Sequence, residues 1–370
     1  MKKILITGVN GFVGSHLSEY ILNNNLGKIY GAYRTKNDDF SNIKSIKKQI
    51  ELIECDITDS YAIDKTIEEI KPDYIFHLAA QAFVPSSWKS PIETLNTNII
   101  GSLNLFEAIK KNSKNTRIQI AGSSEEYGLV KEDEVPIKET NPLRPLSPYG
   151  VSKVSMDLLG YQYNKSYGLN IIRTRAFNHE GPRRGKSYVT SNFAKQVALI
   201  EAGEQKPVMH VGNLEAKRDY TDVRDMVRAY WMAVEKGIPG EVYNIASGKA
   251  YKIQTIVDML KKLSKKEFEV KQDPKRLRPS DVQILLGDST KFRKQTGWKP
   301  EISFEKTMED TLNYWRAKIN ENTKWIHGLK RKNQKYSWLS KKRNNIQGHN
   351  NTITGSSSNK KSNPRNAWTI

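Results

Sequence analysis

The sequence predicts an α/β protein in which a doubly wound parallel sheet is followed by a smaller mixed α/β lobe. Three observations support this fold class. Short apolar runs alternate with helical stretches up to about residue 175, a glycine-rich turn directly follows the first run, and the alternation loosens after Arg175. Strands that are joined through helices run parallel in one sheet. A chain of 370 residues with 37% hydrophobic composition is long enough to bury such a core.

The elements before residue 175 are short and regular. The candidate strands are rich in β-branched or aromatic residues, and the stretches between them carry apolar residues at three- and four-residue spacing. Strands are predicted at 4–7, 29–33, 50–53, 74–78, 118–121 and 171–175, and helices at 13–22, 63–70, 95–109 and 152–167. We therefore predict one domain over residues 1–175.

A second lobe is predicted over residues 176–320. Helices are expected near 191–201, 223–235, 253–263 and 304–319, with a strand near 241–245. We expect this lobe to be partly interleaved with the first domain. It should pack against the carboxyl edge of the sheet, where open α/β sheets bind their ligands.

The charge of the chain is strongly basic but unevenly spread. The formal net charge is +20, and about half of the excess lies after residue 320. Residues 321–370 combine clusters of lysine and arginine with Asn-, Ser- and Gly-rich stretches, which predicts a largely disordered, solvated tail. An anionic partner such as RNA, phospholipid or polysaccharide is the alternative for the tail, and nucleic-acid binding is not expected of the folded part.

Composition also excludes several classes of protein. No run approaches the roughly 18 to 20 consecutive apolar residues of a membrane span, and the opening residues lack the apolar region of a signal peptide. We therefore expect a cytoplasmic protein without a membrane span. The single cysteine, Cys55, lies in an apolar run and is expected in the core, so no disulfide and no cysteine-rich metal site is predicted.

A glycine turn follows the first predicted strand and opens the first predicted helix. Gly8 permits the tight turn, Gly11 lets backbone amides approach a pyrophosphate, and Gly14 lets the helix pack on the strand. The helix N-terminus adds partial positive charge. The spacing G-x-x-G-x-x-G departs from G-x-G-x-x-G, but it still indicates a Rossmann-type domain for a nicotinamide dinucleotide. The other cofactor-binding residues predicted in this turn are Asn10, Phe12 and Val13.

The end of the second strand bears on the choice between NAD and NADP. An acidic residue there binds the NAD ribose, whereas a basic residue accommodates the additional phosphate of NADP. The residue here is Arg34, which favours NADP, while Asp38 and Asp39 nearby leave NAD possible. After the third strand, Asp56 is placed to accept from an adenine amino group. The cofactor contacts predicted after the third and fourth strands are Asp56, Ile57, Leu78, Ala79, Ala80 and Gln81.

A serine, a tyrosine and a lysine form the candidate catalytic group. Ser123 follows the apolar strand at 118–121, and Tyr149 and Lys153 open the next helix. Residues four apart share one helix face, so Lys153 can lower the pKa of the Tyr149 phenol and also reach the nicotinamide ribose. Tyr149 is then a base that deprotonates a sugar hydroxyl while the carbon loses hydride, and Ser123 hydrogen-bonds the same oxygen.

A carboxylate next to Ser123 adds a second possible chemistry. Glu125 can lie on the other side of the same sugar and take a proton from carbon 5. In an elimination, that step is coupled to loss of the hydroxyl on carbon 6. A surface position for Glu125 is the alternative, and Glu126 is interpreted as a bystander.

These motifs resemble those of extended short-chain dehydrogenases/reductases that act on nucleotide sugars. The resemblance rests on the glycine turn, on Ser123-Ser124-Glu125 and on Tyr149-x-x-x-Lys153. Two longer segments, Phe-Asn-His-Glu-Gly-Pro-Arg-Arg-Gly at 177–185 and Gly-Asn-Leu-Glu-Ala-Lys-Arg-Asp at 212–219, are similar to the GDP-mannose 4,6-dehydratases. The match spans roughly residues 1–318.

The resemblance implies roles for individual residues. Ser123 stands at the family's catalytic threonine and Glu125 at its base, and Tyr149 and Lys153 stand at its catalytic pair. The implied cofactor contacts outside the glycine turn are Lys153, His179 and Arg184. The implied substrate-binding residues are Ser87, Asn178, Asn213, Lys217, Arg218 and Arg278. Arginine and lysine suit a GDP-sugar diphosphate, and arginine can bind it bidentately. The family also implies a homodimer or homotetramer.

The sequence departs from the dehydratases at several positions. Serine replaces threonine at 123, and Glu93 stands where the dehydratases carry a cofactor-binding tyrosine. The residues of the glycine turn at 9–14 also differ from those of the dehydratases. Segments 122–128 and 143–149 look equally like those of GDP-4-keto-6-deoxymannose reductases. These departures leave the reaction open but not the class of substrate.

Three functional hypotheses follow. The first is a lyase in which Tyr149 and bound NADP oxidise carbon 4, Glu125 deprotonates carbon 5, water leaves from carbon 6, and the hydride returns to carbon 6. The second is an NADPH-dependent reductase in which Tyr149 protonates a 4-keto sugar and Glu125 has no role. The third is a non-catalytic dinucleotide-binding scaffold that binds a polyanion through its tail. Arg183 and Arg184, shared with the dehydratases, favour the lyase.

Overall fold

The computed structural model describes residues 1–276 and 283–321. The chain divides into two compact units, Met1–Ala317 and Lys318–Ile370. Of the second unit only residues 318–321 are described, and they are helical. The predicted tail therefore lies, apart from Glu321, outside the described residues. Within the described ranges, no helix is both long enough and apolar enough to cross a membrane.

A seven-stranded parallel sheet forms the centre of the first unit. Its strands, and those of two smaller sheets, are β1 Lys3–Thr7, β2 Lys28–Tyr33, β3 Glu51–Glu54, β4 Tyr74–His77, β5 Arg117–Ser123, β6 Asn170–Ala176, β7 Asn178–Glu180, β8 Val208–Val211, β9 Lys217–Asp222, β10 Val242–Ile245, β11 Ala250–Lys252, β12 Glu269–Gln272 and β13 Ile284–Leu285. The spatial order of the large sheet is β10-β6-β5-β4-β1-β2-β3, and all its strand pairs are parallel. The order reverses between β1 and β4, which opens a crevice at their carboxyl ends.

Helices cover both faces of this sheet. They are α1 Phe12–Asn23, α2 Ser60–Ile70, α3 Val84–Lys89, α4 Pro91–Leu95, α5 Gly101–Asn112, α6 Pro148–Tyr167, α7 Val189–Glu201, α8 Val223–Lys236, α9 Ile253–Leu263 and α10 Thr290–Thr296, and residues 304–317 are also helical. One apolar cluster joins the sheet to α1 and α8, and a second joins it to α2, α5 and α6. Cys55 is buried in the second cluster. The predicted doubly wound fold is confirmed.

Part of the predicted second lobe belongs to the large sheet. The strand β10 pairs with β6, and α8 packs on the same face of the sheet as α1. The remaining strands form two smaller sheets, in which β9 pairs with β7, β11 and β13, and β8 pairs with β12. Elements of the two predicted segments are thus interleaved.

The helix predicted at 95–109 is interrupted. A π-helical turn, Asn96–Ile100, separates α4 from α5. The buried side chain of Asn98 accepts from the Gln81 amide at 2.8 Å and donates to the Gln81 carbonyl at 3.1 Å. The spacing of apolar residues could not predict this interruption, because the side chain that holds the turn is polar. A π turn inside a helix is often found at functional sites.

Candidate active site

The carboxyl ends of the parallel strands gather most of the predicted site residues at one edge of the sheet. At the end of β1, Gly11 caps α1 without a side-chain hydrogen bond, and the first turn of α1 contains no acidic residue. The amide groups of that turn therefore lack a competing side-chain acceptor. Such a helix N-terminus suits a phosphate group.

Two glycines of the turn are required by close backbone contacts. Gly8 has a φ of 71°, and a Cβ there would lie 3.1 Å from backbone atoms of Ala79. A Cβ on Gly14 would lie 2.3 Å from the Gly8 oxygen and 2.9 Å from the Val9 Cα. A side chain at Gly8 would press on the segment that follows β4, and one at Gly14 would push α1 away from the turn, so these glycines keep the turn compact.

The end of β2 carries Arg34 as an exposed side chain beside the glycine turn. The Arg34 amide donates to Asp38 Oδ2 at 3.0 Å, and Asn10 Nδ2 donates to the Asp39 oxygen at 3.2 Å. Asp38 is thus used to fold its own loop. The exposed guanidinium of Arg34 is the cation that the strand end presents to solvent.

The side chains of the residues after β3 mainly hold the local structure together. Asp56 Oδ1 accepts from the Thr58 amide at 2.9 Å and from its hydroxyl at 2.8 Å. The Ile57 side chain is buried against Gly101, where a Cβ would lie 2.6 Å from Ile57 Cδ1. A cofactor contact of Ile57 is therefore limited to its backbone.

A buried polar chain starts under the glycine turn at Thr7. Thr7 Oγ1 accepts from the amides of Leu78 and Ala79 at 3.1 Å each, and it lies 3.0 Å from His77 Nδ1. His77 Nε2 lies 3.0 Å from Ser102 Oγ, whose hydroxyl donates to the Asn98 oxygen at 2.6 Å. The network thus assigns the proton of His77 to Nε2. Burial, aided by the Lys153 charge, lowers the pKa of His77 to about 3.

The same polar chain continues to α6. Asn98 Nδ2 donates to Ser152 Oγ at 2.9 Å, and Ser152 Oγ donates to the Tyr149 carbonyl at 2.7 Å. The Gln81 side chain faces this region, since its Nε2 donates to Thr94 Oγ1 at 3.0 Å. The backbone of the glycine turn and the start of α6 are therefore linked through buried hydrogen bonds.

Tyr149, Ser123 and Lys153 meet at the end of β5. All three side chains are buried, and Lys153 Nζ lies 5.8 Å from the centre of the Tyr149 ring while donating to the Ala121 oxygen at 2.7 Å. Burial raises the pKa of Tyr149 above its usual value, and a hydrogen bond with Ser123 opposes that shift. Burial also lowers the pKa of Lys153 to about 8, against the charge of Glu126.

The direction of the Tyr149 shift differs from the sequence expectation. We expected Lys153 to lower the pKa of Tyr149, but the loss of hydration on burial outweighs the other influences. Burial acts on both groups and favours the neutral form of each. The positive charge of Lys153 is itself weakened by that burial.

The two adjacent carboxylates after Ser123 have different surroundings. Glu125 is half-buried, and its charge, like that of Glu126, opposes ionisation of Tyr149. Glu126 is fully buried, and its Oε1 accepts from the Ser123 amide at 2.7 Å. The interpretation of Glu126 as a bystander misses this contact with the backbone of Ser123.

A buried ion cluster lies one helical turn beyond Lys153. Asp157 pairs through Oδ1 with Arg173 and through Oδ2 with Arg175 Nε, the latter at 2.9 Å. Arg175 Nε also lies 3.0 Å from Glu126 Oε2. The cluster therefore joins β6, α6 and the turn that carries Ser123.

An aromatic and cationic group borders the glycine turn on the other side. The rings of Phe12 and His179 stack with centroids 6.0 Å apart and an interplanar angle of 3°. The guanidinium carbon of Arg184 lies 3.5 Å from the centre of the Tyr188 ring and 5.0 Å from that of Phe12. Burial and the Arg184 charge lower the pKa of His179 to about 3, so its ring is neutral at physiological pH. Arg184 and His179 thus lie beside the predicted phosphate-binding turn.

Arg183 faces away from Arg184. With a φ of 73°, Arg183 turns back to its own chain and pairs with Glu19 at 2.6 Å. It also donates to the Asn42 oxygen at 3.1 Å and contacts His16, whose pKa is lowered to about 4 mainly by burial. The Arg183 guanidinium is therefore engaged within its own chain.

The predicted substrate-binding residues are dispersed. Asn178 lies in β7 opposite Tyr220, and Lys217 and Arg218 lie at the start of β9. Asn213 Oδ1 accepts from the Glu215 amide at 2.9 Å. Ser87 is fully buried and donates to the Val84 oxygen at 2.7 Å, so in this conformation its hydroxyl does not face the cleft. Arg278 lies outside the described residues.

Several residues of the site were not predicted from the sequence. Glu126 and Asp157 could have been anticipated, because Arg173 and Arg175 alternate along an apolar strand and buried arginines need anionic partners. Tyr188 stands among polar residues just before α7, and no periodicity marks it. Ionisation of Tyr188 would raise the pKa of Tyr149, which indicates that the two phenols lie near each other. Among the described residues, no cluster of three or more His, Cys, Asp or Glu side chains could hold a metal ion.

The sheet order, the glycine turn and the Ser123, Tyr149 and Lys153 group together define an extended short-chain dehydrogenase/reductase. The family model for GDP-mannose 4,6 dehydratase matches residues 5–311. The chain therefore belongs to the GDP-mannose 4,6-dehydratase family, and the resemblance stated from its motifs is confirmed.

Two curated relatives and one solved structure refine this placement. GDP-6-deoxy-D-mannose reductase of Pseudomonas aeruginosa is 31% identical over 320 residues, which cover 86% of this chain and 99% of the reductase. GDP-mannose 4,6-dehydratase of Yersinia enterocolitica is 33% identical over 351 residues, which cover 84% of this chain and 93% of the dehydratase. The structure of RMD from Pseudomonas aeruginosa complexed with NADPH is similar with a TM-score of 0.74 and 30% identity, covering 86% and 100% of the two chains.

Removing the shared anion of the ion cluster should destabilise the fold strongly. Asp157→Ala leaves Arg173 and Arg175 buried with less compensation, and we expect it to lower the free energy of unfolding by about 3 to 5 kcal/mol. Urea unfolding measures this change. Glu51→Ala, which breaks the exposed pair with Lys28, is the control and should cost less than about 1 kcal/mol. Equal effects of the two variants would contradict a structural role for the cluster.

Proposed function

We propose that the protein is a GDP-sugar 4,6-dehydratase that converts GDP-mannose, or a close GDP-hexose or GDP-heptose, to the 4-keto-6-deoxy sugar. The observation that supports this proposal is a half-buried carboxylate, Glu125, two residues after the Ser123 that bonds Tyr149, with its charge acting on Tyr149. A hydride enzyme needs only the tyrosine, serine and lysine. A carboxylate beside them adds the base that an elimination requires.

The chain offers a suitable place for NADP. The uncapped N-terminus of α1 fits a pyrophosphate, and Gly8 and Gly14 allow the close backbone approach. Arg34 is exposed at the end of β2, where it would hold the additional phosphate of NADP. Lys153, His179 and Arg184 would complete the site. When bound, NADP supplies the acceptor and later the donor of a hydride.

The residues of the catalytic group divide the proton transfers between them. Tyr149 takes the proton of the carbon 4 hydroxyl, while Ser123 hydrogen-bonds the same oxygen and Lys153 stabilises the phenolate. Glu125 takes the proton from carbon 5 as the hydroxyl on carbon 6 leaves. The two protons held on Tyr149 and Glu125 balance the one that departs with water and the one that returns to carbon 5.

The second candidate is an NADPH-dependent reductase of a GDP-4-keto-6-deoxy sugar. The observation that favours it is the reductase of Pseudomonas aeruginosa, which this chain matches over 99% of its length. In that reaction Tyr149 donates a proton to the 4-keto oxygen, and Glu125 is not needed. The same binding residues serve both reactions, so the assay must separate them.

The reaction can be identified with purified protein and defined substrates. GDP-mannose without an added reductant should yield a product lighter by one water, measured by mass spectrometry. Glu125→Gln should abolish this elimination, because an amide cannot accept the carbon 5 proton. Glu132→Gln, a nearby exposed carboxylate, is the control and should retain activity. NADPH consumption with the 4-keto sugar, and no turnover of GDP-mannose, would establish the reductase instead.

The choice of cofactor depends on Arg34 in this proposal. Arg34→Ala should weaken NADPH binding about tenfold or more, because a hydrogen bond to a charged group is worth about 1.5 to 3 kcal/mol. NADH binding should hardly change. Lys36→Ala, an exposed cation two residues away, is the matched control. Fluorescence titration measures each affinity, and equal losses for NADPH and NADH would contradict the role of Arg34.

We also propose that the chain assembles into a homodimer or a homotetramer. Val151 and Leu158 of α6 lie seven residues apart on one helix face and are 44% and 52% exposed. Trp88 and Ile92, on the neighbouring α3 and α4, are exposed as well. An apolar surface of this extent favours association between copies.

Light scattering tests the assembly. Leu158→Glu should lower the particle mass, since it places a charge in the proposed contact. Ile238→Glu is the control, because Ile238 is 50% exposed in the loop between α8 and β10. A monomeric native protein, or a mass that Leu158→Glu leaves unchanged, would contradict the proposed surface.

A further inference from the structure

Glu126 occupies an unusual position for a carboxylate. It is completely buried at the end of β5, directly behind the turn that carries Ser123. Neither proposed reaction uses Glu126, since their proton transfers are assigned to Tyr149 and, in the elimination, to Glu125. A fully buried carboxylate is costly unless other groups compensate its charge, so the contacts of Glu126 indicate what it does.

The first contact fixes the geometry of the catalytic turn. Glu126 Oε1 accepts from the Ser123 amide at 2.7 Å, while Ser123 Oγ accepts from the Glu125 amide at 3.2 Å. These reciprocal bonds form a capping box around residues 124–126. Ser123 and Glu125 therefore keep their orientations relative to Tyr149 through Glu126.

The second contact is electrostatic and involves α6 and β6. Glu126 is faced by Arg175 of β6, whose Nε is 3.0 Å from Oε2, and by Lys153 and Asp157 of α6. Oε2 accepts no hydrogen bond among the described residues. When Glu126 is ionised, its charge favours the ammonium form of Lys153, which burial disfavours. Burial and the Asp157 charge raise the pKa of Glu126 to about 8, against the charges of Arg175 and Lys153, so Glu126 gains its charge in the pH range in which Lys153 would lose its proton. Ionised Glu126 thus offsets part of the free energy that it costs to bury the Lys153 ammonium.

We propose that Glu126 is a positioning residue that fixes the turn carrying Ser123 and Glu125 and stabilises the Lys153 ammonium from behind. Lys153 is faced from other elements by His77 at the end of β4, which is neutral, and by the Ala121 oxygen of β5. Tyr149 and Met156 of its own helix complete its surroundings. Among these described neighbours, Glu126 is the carboxylate whose charge raises the pKa of Lys153.

The inference rests on the proposed NADPH-binding function, and its test therefore includes a readout independent of turnover. NADPH affinity is measured by fluorescence titration between pH 6 and 9.5. The native protein should lose affinity on the alkaline side as Lys153 deprotonates, and because Glu126 also titrates near pH 8, the observed midpoint belongs to the pair. Lys153→Met should remove that midpoint. No NADPH binding at any pH would contradict the proposed function rather than the inference.

Glu126→Gln then separates the charge from the hydrogen bond. The amide oxygen can still accept from the Ser123 amide, but the charge is gone, so the midpoint should move to lower pH by about one unit. The alkaline limb of kcat should move with it while KM at neutral pH changes little. An unchanged midpoint in a folded Glu126→Gln protein would overturn the proposal, since a merely structural role moves stability alone.

Two further variants keep the test decisive. Asp225→Asn changes an equally buried carboxylate that holds Arg228 and the amides of Glu301 and Ile302 on the far side of the sheet. It should lower stability without moving the midpoint. Glu126→Asp keeps the charge but shortens the reach to the Ser123 amide, so it should lower kcat and retain the native midpoint. If Glu126→Gln does not fold, either of two results overturns the proposal. One is a shifted midpoint in Glu126→Asp, and the other is the absence of a midpoint in the native protein.

Discussion

The pairing of Asp157 with two arginines of β6 is the constraint on which the site depends. Both guanidiniums are buried, so α6 can dock only in the orientation that brings Asp157 to them. Lys153 and Tyr149 lie one and two helical turns earlier on the same face, and that orientation aims them at the end of β5. The rotation of the catalytic helix is thus set by charges outside the cleft.

A second, neutral network fixes the other half of the site. Hydrogen bonds run from Thr7 through His77 and Ser102 to Asn98, and from there to Ser152 at the start of α6. Because these groups are uncharged, their alignment depends on direction rather than on ionisation. The glycine turn and the catalytic helix are therefore held at a defined separation by two unlike networks. One is ionic and the other is made of hydroxyls, an imidazole and an amide.

The sequence predicted the fold and the central residues of the site because both follow from local patterns. Apolar runs located all seven parallel strands within a few residues, and i, i+4 spacing placed Tyr149 and Lys153 on one helix face. The partners of buried charges were harder to predict. Glu126 and Asp157 come into contact with Arg175 only because the order of strands in the sheet brings them together. Burial of Ser87 and the turn of Arg183 toward Glu19 also depend on tertiary packing.

The electrostatics of the catalytic pair show why proximity alone was a poor guide to proton affinity. Burial favours the neutral forms of both Tyr149 and Lys153. An ammonium at Lys153 favours a phenolate at Tyr149, because opposite charges close together stabilise each other. Glu126 acts on this pair in two opposed ways, since its charge favours the Lys153 ammonium but directly disfavours the Tyr149 phenolate. The acid behind the catalytic turn thus influences a proton that it does not touch, and the chemistry of the cleft is partly determined in the core.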